Sequence, residues 1–207
     1  QLNEYDLRQQ LTSAPQEGTV AIQSSPVVVS IPNAGGVMER FRLVQSSMME
    51  RGLADQFASI KTYIGYNIDH PGSSARFDLG PMGFHAVILS PDRKTIYVNA
   101  VDKQNNYYVV FDRNGLAPLT DVFECSAPGT LNKNASATSA DDGQLRTYRL
   151  AVTVNGEYSQ ACLDGTEPDD AARKAKVMAM LVTNLNRANG IYERDFGIRM
   201  VYVTGME

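Results

Sequence analysis

Residues 145–207, LRTYRLAVTVNGEYSQACLDGTEPDDAARKAKVMAMLVTNLNRANGIYERDFGIRMVYVTGME, decide the fold of the C-terminal third. In LRTYRLAVTVN the apolar Leu150, Val152 and Val154 alternate with Arg149 and Thr153, the period-two pattern of a strand, and Asn155-Gly156 signals a turn. The acidic link from Asp164 to Asp170 contains Pro168, so Glu167-Pro168-Asp169-Asp170 suits a helix start, with acids against the positive end of the dipole. Ala171, Ala175, Met178, Val182 and Leu185 then recur at helical spacing, with Asn189-Gly190 as the expected C-cap. FGIRMVYV places Phe196, Ile198, Met200 and Tyr202 on one face of a second strand. Strand, long helix and strand form a βαβ unit, whose two strands run parallel and need more sheet than this stretch contains. Met178, Val182, Phe196 and Ile198 are therefore expected to be exposed unless they dock on the preceding domain, on a second chain or on further polypeptide.

Upstream, the texture is β. TVAIQ, PVVVSIP and VMERFRLVQSS read as strands, with a hairpin turn at Asn33-Ala34-Gly35-Gly36 between the last two. MMERGLADQFASI supplies one short helix with Met49, Leu53 and Phe57 along one side. SIKTYIGYNI, ARFDLG, GFHAVILS, KTIYVNAV and NYYVVFDR follow, separated by turn chemistry such as Gly80-Pro81-Met82-Gly83 and Ser90-Pro91-Asp92. This spacing predicts an antiparallel sandwich or strongly bent sheet over residues 1–125, after a short lead-in that ends at Pro15. Residues 126–144, SAPGTLNKNASATSADDGQ, hold one large apolar residue, Leu131, and read as a flexible linker. The fold class is α+β: a mainly antiparallel β domain with one short helix, then a βαβ fragment of an α/β domain.

An apolar content of 43% supports a folded core, and a net charge of -4 without a basic stripe argues against nucleic acid as a partner. No apolar run approaches the ~18 residues of a spanning helix, so no membrane span is expected. The opening Gln1-Leu2-Asn3-Glu4 reads as a mature start from which any leader has been removed.

The chemistry-bearing residues are few. His70 and His85 lie in a turn and a strand, outside any metal-ligand spacing, and read as structural. The sequence contains no GxSxG, phosphate-binding glycine loop or CxxC, so no assembled active site is expected. Cys125 follows a strand end and precedes the linker: its thiolate could reach a metal outside this chain, bond Cys162, or remain an inert thiol.

LRTYRLAVTVNGEYSQ and AMLVTNLNRANGIYERDFGIRMVYV resemble the first strand, first long helix and second strand of secreted bacterial reprolysin-like zinc metallopeptidases of the metzincin clan. VVVSIPNAGGVMERFRLVQSSMM, IKTYIGYNIDHPGSSARFDLGPMGFHAVI and TIYVNAV are similar to the propeptide that accompanies them. In that family three histidines of HExxHxxGxxH hold the zinc and the glutamate is the general base. No such motif occurs in these 207 residues, so no catalytic residue carries over. The resemblance implies a secreted zymogen segment comprising a latency and folding propeptide, an activation linker cut by a separate protease, and the first βαβ of the peptidase. Its partner would be the remainder of its own peptidase domain, and its zinc would belong to the parent enzyme. It also implies a cysteine switch, with Cys125 as the possible inhibitory ligand to the downstream zinc, although FECSAPG departs from the better-known PRCGVPD form. Lys133 and Arg146 are the basic candidates for activation cleavage. A different class of reading is a β-sandwich binding or adhesion module without a peptidase partner, because architecture alone does not settle function. Exposed βαβ surfaces could also form a dimer.

Overall fold

A computed structural model describes residues 1–102, 107–115 and 142–203. Helix α1 (Glu4–Thr12) precedes β1 (Val28–Pro32) and β2 (Met38–Gln45), and α2 (Arg51–Gln56) leads into β3 (Lys61–Asn67). β4 (Ser74–Gly80), β5 (Gly83–Leu89), β6 (Ile96–Asp102) and β7 (Tyr107–Asp112) complete a seven-stranded antiparallel sheet in the order β1-β2-β3-β4-β5-β6-β7. The expected antiparallel domain is thus one curled meander rather than two facing sheets. Its first hairpin turns as the sequence predicts: the Asn33 side chain accepts from Gly35 and Val37 N–H, and Gly36 adopts φ +81°.

Alternation along the central strands separates two faces. Phe77, Leu79, Phe84, Ala86 and Ile88 enter a core with Phe41, Leu43, Val29, Ile31 and the α1 residues Leu7 and Leu11. Through its centre Phe41 meets Phe77 edge to face and Phe77 stacks on Phe84, with ring centroids 5.5 and 5.8 Å apart. Gly65 makes room for them, since a Cβ there would collide with the Phe77 ring and lie 3.1 Å from Leu43 Cδ2. The other face carries Arg76, Asp78 and His85, and is covered by the C-terminal unit.

That unit contains β8 (Arg146–Leu150), α3 (Gly156–Cys162), α4 (Asp170–Phe196) and β9 (Ile198–Tyr202). β8 and β9 pair in parallel from Arg146↔Ile198 to Leu150↔Tyr202, the βαβ arrangement that the periodicity predicts. Val182 is fully buried in a second core with Met48, Ile60, Ala179, Leu185 and Tyr202, and Met178 packs against it. The β domain therefore covers much of the face expected to lack a cover, while Phe196 remains 52% exposed.

Three local expectations change. TVAIQ forms a 3-10 turn at Ile22–Ser24 rather than a strand, because Ser24 and Ser25 N–H bond back to Ala21 and Ile22 and Pro26 follows. The strand in LRTYRLAVTVN stops at Leu150, where its partner β9 stops, and Asn155 caps α3 by accepting from Tyr158 N–H at 3.0 Å. Asn189-Gly190 does not end α4, which continues to Gly197, a left-handed cap with φ +62°. Gly190 instead lets the helix approach the sheet: a Cβ there would lie 3.0 Å from Leu89 Cδ1 and 3.1 Å from Arg76 Cγ.

Candidate functional site

The residues of α4 that face the sheet, Ala179, Val182, Thr183, Asn186, Asn189, Gly190 and Glu193, recur every three or four positions. The first two are apolar and meet the second core, whereas the later ones are mostly polar: Thr183 meets Asp78, and Gly190 and Glu193 meet Arg76. Thr183 Oγ1 donates to Asp78 Oδ1 at 2.6 Å, and His85 Nδ1 lies 3.0 Å from the same oxygen. Asn186 Nδ2 donates to the Phe77 carbonyl at 3.0 Å. Arg187 donates to Asn99 Oδ1 and lies 5.7 Å over the Tyr97 ring.

At the C-terminal end of α4, Glu193 accepts from Arg76 and, at 2.7 and 2.9 Å, from Arg199 of β9. Arg199 also reaches Glu17 at 2.7 and 2.8 Å, and Glu17 accepts from Ser46 Oγ. The β domain contributes Glu17 and Arg76 while the βαβ unit contributes Arg199 and Glu193, so both units bring one charge of each sign. Burial pushes the Arg199 pKa down, but Glu193 and Glu17 outweigh it and hold the guanidinium above its ordinary value. Burial lowers that of Arg76 despite Glu193. Glu17 is held below the usual carboxylate range because Arg199 and Ser46 outweigh its burial.

Asn189 joins α4 to β9 through the backbone. Its Nδ2 donates to the Met200 carbonyl at 2.7 Å and its Oδ1 accepts from Met200 N–H at 2.9 Å, taking the place of a neighbouring strand. Beside it, Tyr202 N–H donates to Met48 O and Glu50 N–H donates to Tyr202 O, both at 2.9 Å. Residues 48–50 of the β domain thus close the outer edge of β9.

Four buried atoms of this interface, Arg76 Nη1, Asp78 Oδ2, Asn186 Oδ1 and Arg187 Nε, have no hydrogen-bond partner among the described residues. A buried group without a partner costs about 1–3 kcal/mol, so this contact is less favourable than its buried area suggests. Beyond Leu150 a groove of about 1050 Å³ opens between α2, α3 and α4, lined by Leu53, Phe57, Met178 and Leu181 together with Arg173 and Lys174.

Of the residues singled out in the sequence, Cys125 and Lys133 lie outside the described residues. Arg146 opens β8, where its N–H donates to the Gly197 carbonyl at 2.8 Å and its side chain pairs with Asp142. Cys162 is a free, buried thiol at the end of α3, and burial pushes its pKa up. His70 Nε2 lies 3.8 Å from Glu39 in a turn, and His85 is the buried partner of Asp78. Among the described residues no group of three His, Cys, Asp or Glu side chains could hold a metal. In the acidic loop before α4, Lys176 Nζ supplies the positive charge, reaching Asp164 at 2.8 Å and also Glu167. The sequence reading missed the polar side of α4; its signal was the stripe Thr183, Asn186, Asn189 and Glu193, at the same helical spacing as the apolar one.

The class these features define is an α+β protein in which a parallel βαβ unit rests on an antiparallel meander across an interface with an apolar end and a polar end. Comparisons with protein-family models, curated proteins and solved structures find no match to this chain.

Proposed function

We propose that residues 1–125 are the latency and folding propeptide of a secreted zinc metalloendopeptidase zymogen, and that residues 145–207 begin its catalytic domain. The observation that carries this reading is the character of the α4–sheet contact. Beside the apolar patch where Ala179 and Val182 meet Met48 and Ile60, this interface carries opposed charges, amides and four partnerless polar atoms. Those atoms regain hydrogen bonds in water when the units separate, which favours a contact that holds during latency and then releases. Closure of the β9 edge by residues 48–50 suits a domain that templates the first strands of its enzyme.

The described residues form no zinc site, so this chain's contribution is positional, with Cys125 as the one candidate ligand to zinc held by later residues. Activation cleavage falls at Lys133 in preference to Arg146, whose backbone is engaged in the β8–β9 ladder. The coding sequence beyond Glu207 should encode HExxHxxGxxH, and the chain added in molar excess to the mature enzyme should inhibit it. Cys125→Ala should weaken that inhibition. Absence of the motif, or an unchanged rate of the mature enzyme, refutes the reading and leaves the binding-module alternative.

A further inference from the structure

One short segment of the chain belongs to both sheets. Ser46 is tied to β3 of the meander, its N–H donating to Thr62 O at 2.9 Å and its C=O accepting from Thr62 Oγ1. Three residues later the chain lies parallel to β9, with Met49 opposite Tyr202. Tyr202 N–H donates to Met48 O and Glu50 N–H donates to Tyr202 O, both at 2.9 Å, the hydrogen-bond pattern of an added parallel strand. Ser47 Oγ takes the Met49 N–H and C=O locally, at 3.1 and 2.8 Å, so only Met48 and Glu50 offer backbone groups to β9. The register is thereby fixed at one position.

The side chains of this segment are recognised as well. Met48 is fully buried in the second core with Ala179, Val182 and Leu185 of α4, and Asn189 Nδ2 donates to its Sδ at 3.0 Å. The same carboxamide holds the Met200 backbone, so one α4 side chain contacts both β9 and the methionine laid beside it. A thioether fills an irregular space and accepts weakly from that N–H, whereas leucine could fill the space but not take the bond. Glu50 accepts from Arg149 of β8 at 2.6 and 3.3 Å. Arg149 is 70% exposed, so the pair adds little energy, yet it disfavours a cation at that position.

We propose that the crevice between β9 and α4 is a peptide-recognition site for an extended segment carrying methionine and, two residues on, an acid, and that residues 48–50 fill it as the chain's own occupant. The two backbone bonds to Tyr202 hold such a ligand, while the methionine pocket and Arg149 select it. As a regulatory contact the site rests on the propeptide reading, since separation of the two units is what opens it to a second peptide; the recognition itself does not. A β domain that leaves vacates the crevice, and one that returns must seat Met48 again.

The probe is a fluorescein-labelled peptide of residues 44–50, VQSSMME, titrated into the 207-residue chain and followed by anisotropy. In wild type the tethered segment competes at high effective concentration, so the peptide should bind weakly. Glu50→Pro opens the site: φ at Glu50 is -59°, which proline adopts, while the donor to Tyr202 O and the carboxylate are lost. That variant should keep the wild-type far-UV spectrum and bind the peptide at least about tenfold more tightly than wild type does. Within the peptide, Met48→Ala should weaken binding about 10- to 100-fold, and Glu50→Lys should weaken it less and chiefly at low salt. If Glu50→Pro fails to fold, a chain carrying Met48→Ala takes its place as the opened protein. A peptide that does not bind the opened chain, binds wild type equally well, or binds undiminished after loss of its methionine overturns the proposal. None of these results bears on whether HExxHxxGxxH follows Glu207, so this site and the zymogen reading fail separately.

Discussion

Replacement of Asn189 by leucine tests whether one side chain fastens β9 to the long helix. Asn189 is fully buried, and its carboxamide makes two bonds to the Met200 backbone at 2.7 and 2.9 Å. Leucine has the same branched set of four side-chain heavy atoms and is somewhat larger, so no cavity forms; what remains is one N–H and one C=O without partners. Each such group costs about 1–3 kcal/mol when buried, and Met200 is only half-buried, so we expect ~2–4 kcal/mol in all. Guanidinium unfolding followed by circular dichroism should show a lower midpoint at unchanged slope, because the surface exposed on unfolding is the same. Hydrogen exchange in β9 should accelerate with it. Asn189→Asp refines the test. A carboxylate can accept from Met200 N–H but repels Met200 C=O, whereas the protonated acid restores the donor. The native state of that variant therefore binds the proton more tightly than the unfolded state, whose pKa is about 3.9. Its deficit should be smallest below that pH and grow as pH rises through the higher native value. A leucine variant within about 0.5 kcal/mol of wild type, or an aspartate variant whose deficit ignores pH, refutes the strand-substitute role.

Gly65→Ala should destabilise by about 1–3 kcal/mol in chemical denaturation, since its Cβ must displace the Phe77 ring from a filled core. Burial pushes the Glu39 carboxyl up, but Arg93, Asn33 and Asn67 outweigh it and bring its pKa down to about 2. Its stabilising contribution is therefore complete above the ordinary glutamate pKa of about 4.3 and is lost as pH falls through about 2; Glu39→Gln should flatten that part of the acid-unfolding curve. Glu193→Gln should cost about 3–5 kcal/mol because two guanidiniums lose their shared carboxylate, whereas Arg76→Met should cost clearly less, since Glu193 keeps Arg199. Limited trypsin digestion should release a C-terminal fragment beginning at Asn134 before one beginning at Thr147, and terminal sequencing of the first product decides the order.

The strands of the meander were legible because each is five to eight residues long and most are bounded by residues that break regular structure. Its closure into one sheet was not, because alternation marks a buried face without saying what covers it. GFHAVIL is buried along its whole length only because α4 lies on one side and the first core on the other. Asn155-Gly156 and Asn189-Gly190 show the same limit. Both pairs look like punctuation, yet one opens α3 and the other sits inside α4. An asparagine side chain can cap a helix or replace a missing strand, and a glycine can end a helix or let it approach a sheet. The tertiary neighbour decides which.

The interface was harder to read for a related reason. Thr183, Asn186, Asn189 and Glu193 have the composition of a solvent-facing stripe, and Arg76, Asp78 and His85 that of the wet face of an antiparallel strand. Two surfaces that look made for water meet here and bury one another. Such an arrangement gains less than an apolar contact while closed and loses less on opening, because every charge and amide can be rehydrated. The apolar end at Ala179, Val182 and Leu185 supplies the holding contact, and the charged end at Glu193 sets the register through partners from both units. If this division holds, substitutions at the apolar end should weaken the union whatever the salt concentration. Loss of Glu17, which reaches the βαβ unit through Arg199 with a carboxylate about one-third exposed, should weaken it mainly at low ionic strength, where partly exposed pairs are least screened. Fragment association after trypsin nicking, measured across a salt series for Val182→Ala and Glu17→Gln, separates the two; parallel salt responses would show that the charged end adds no register of its own.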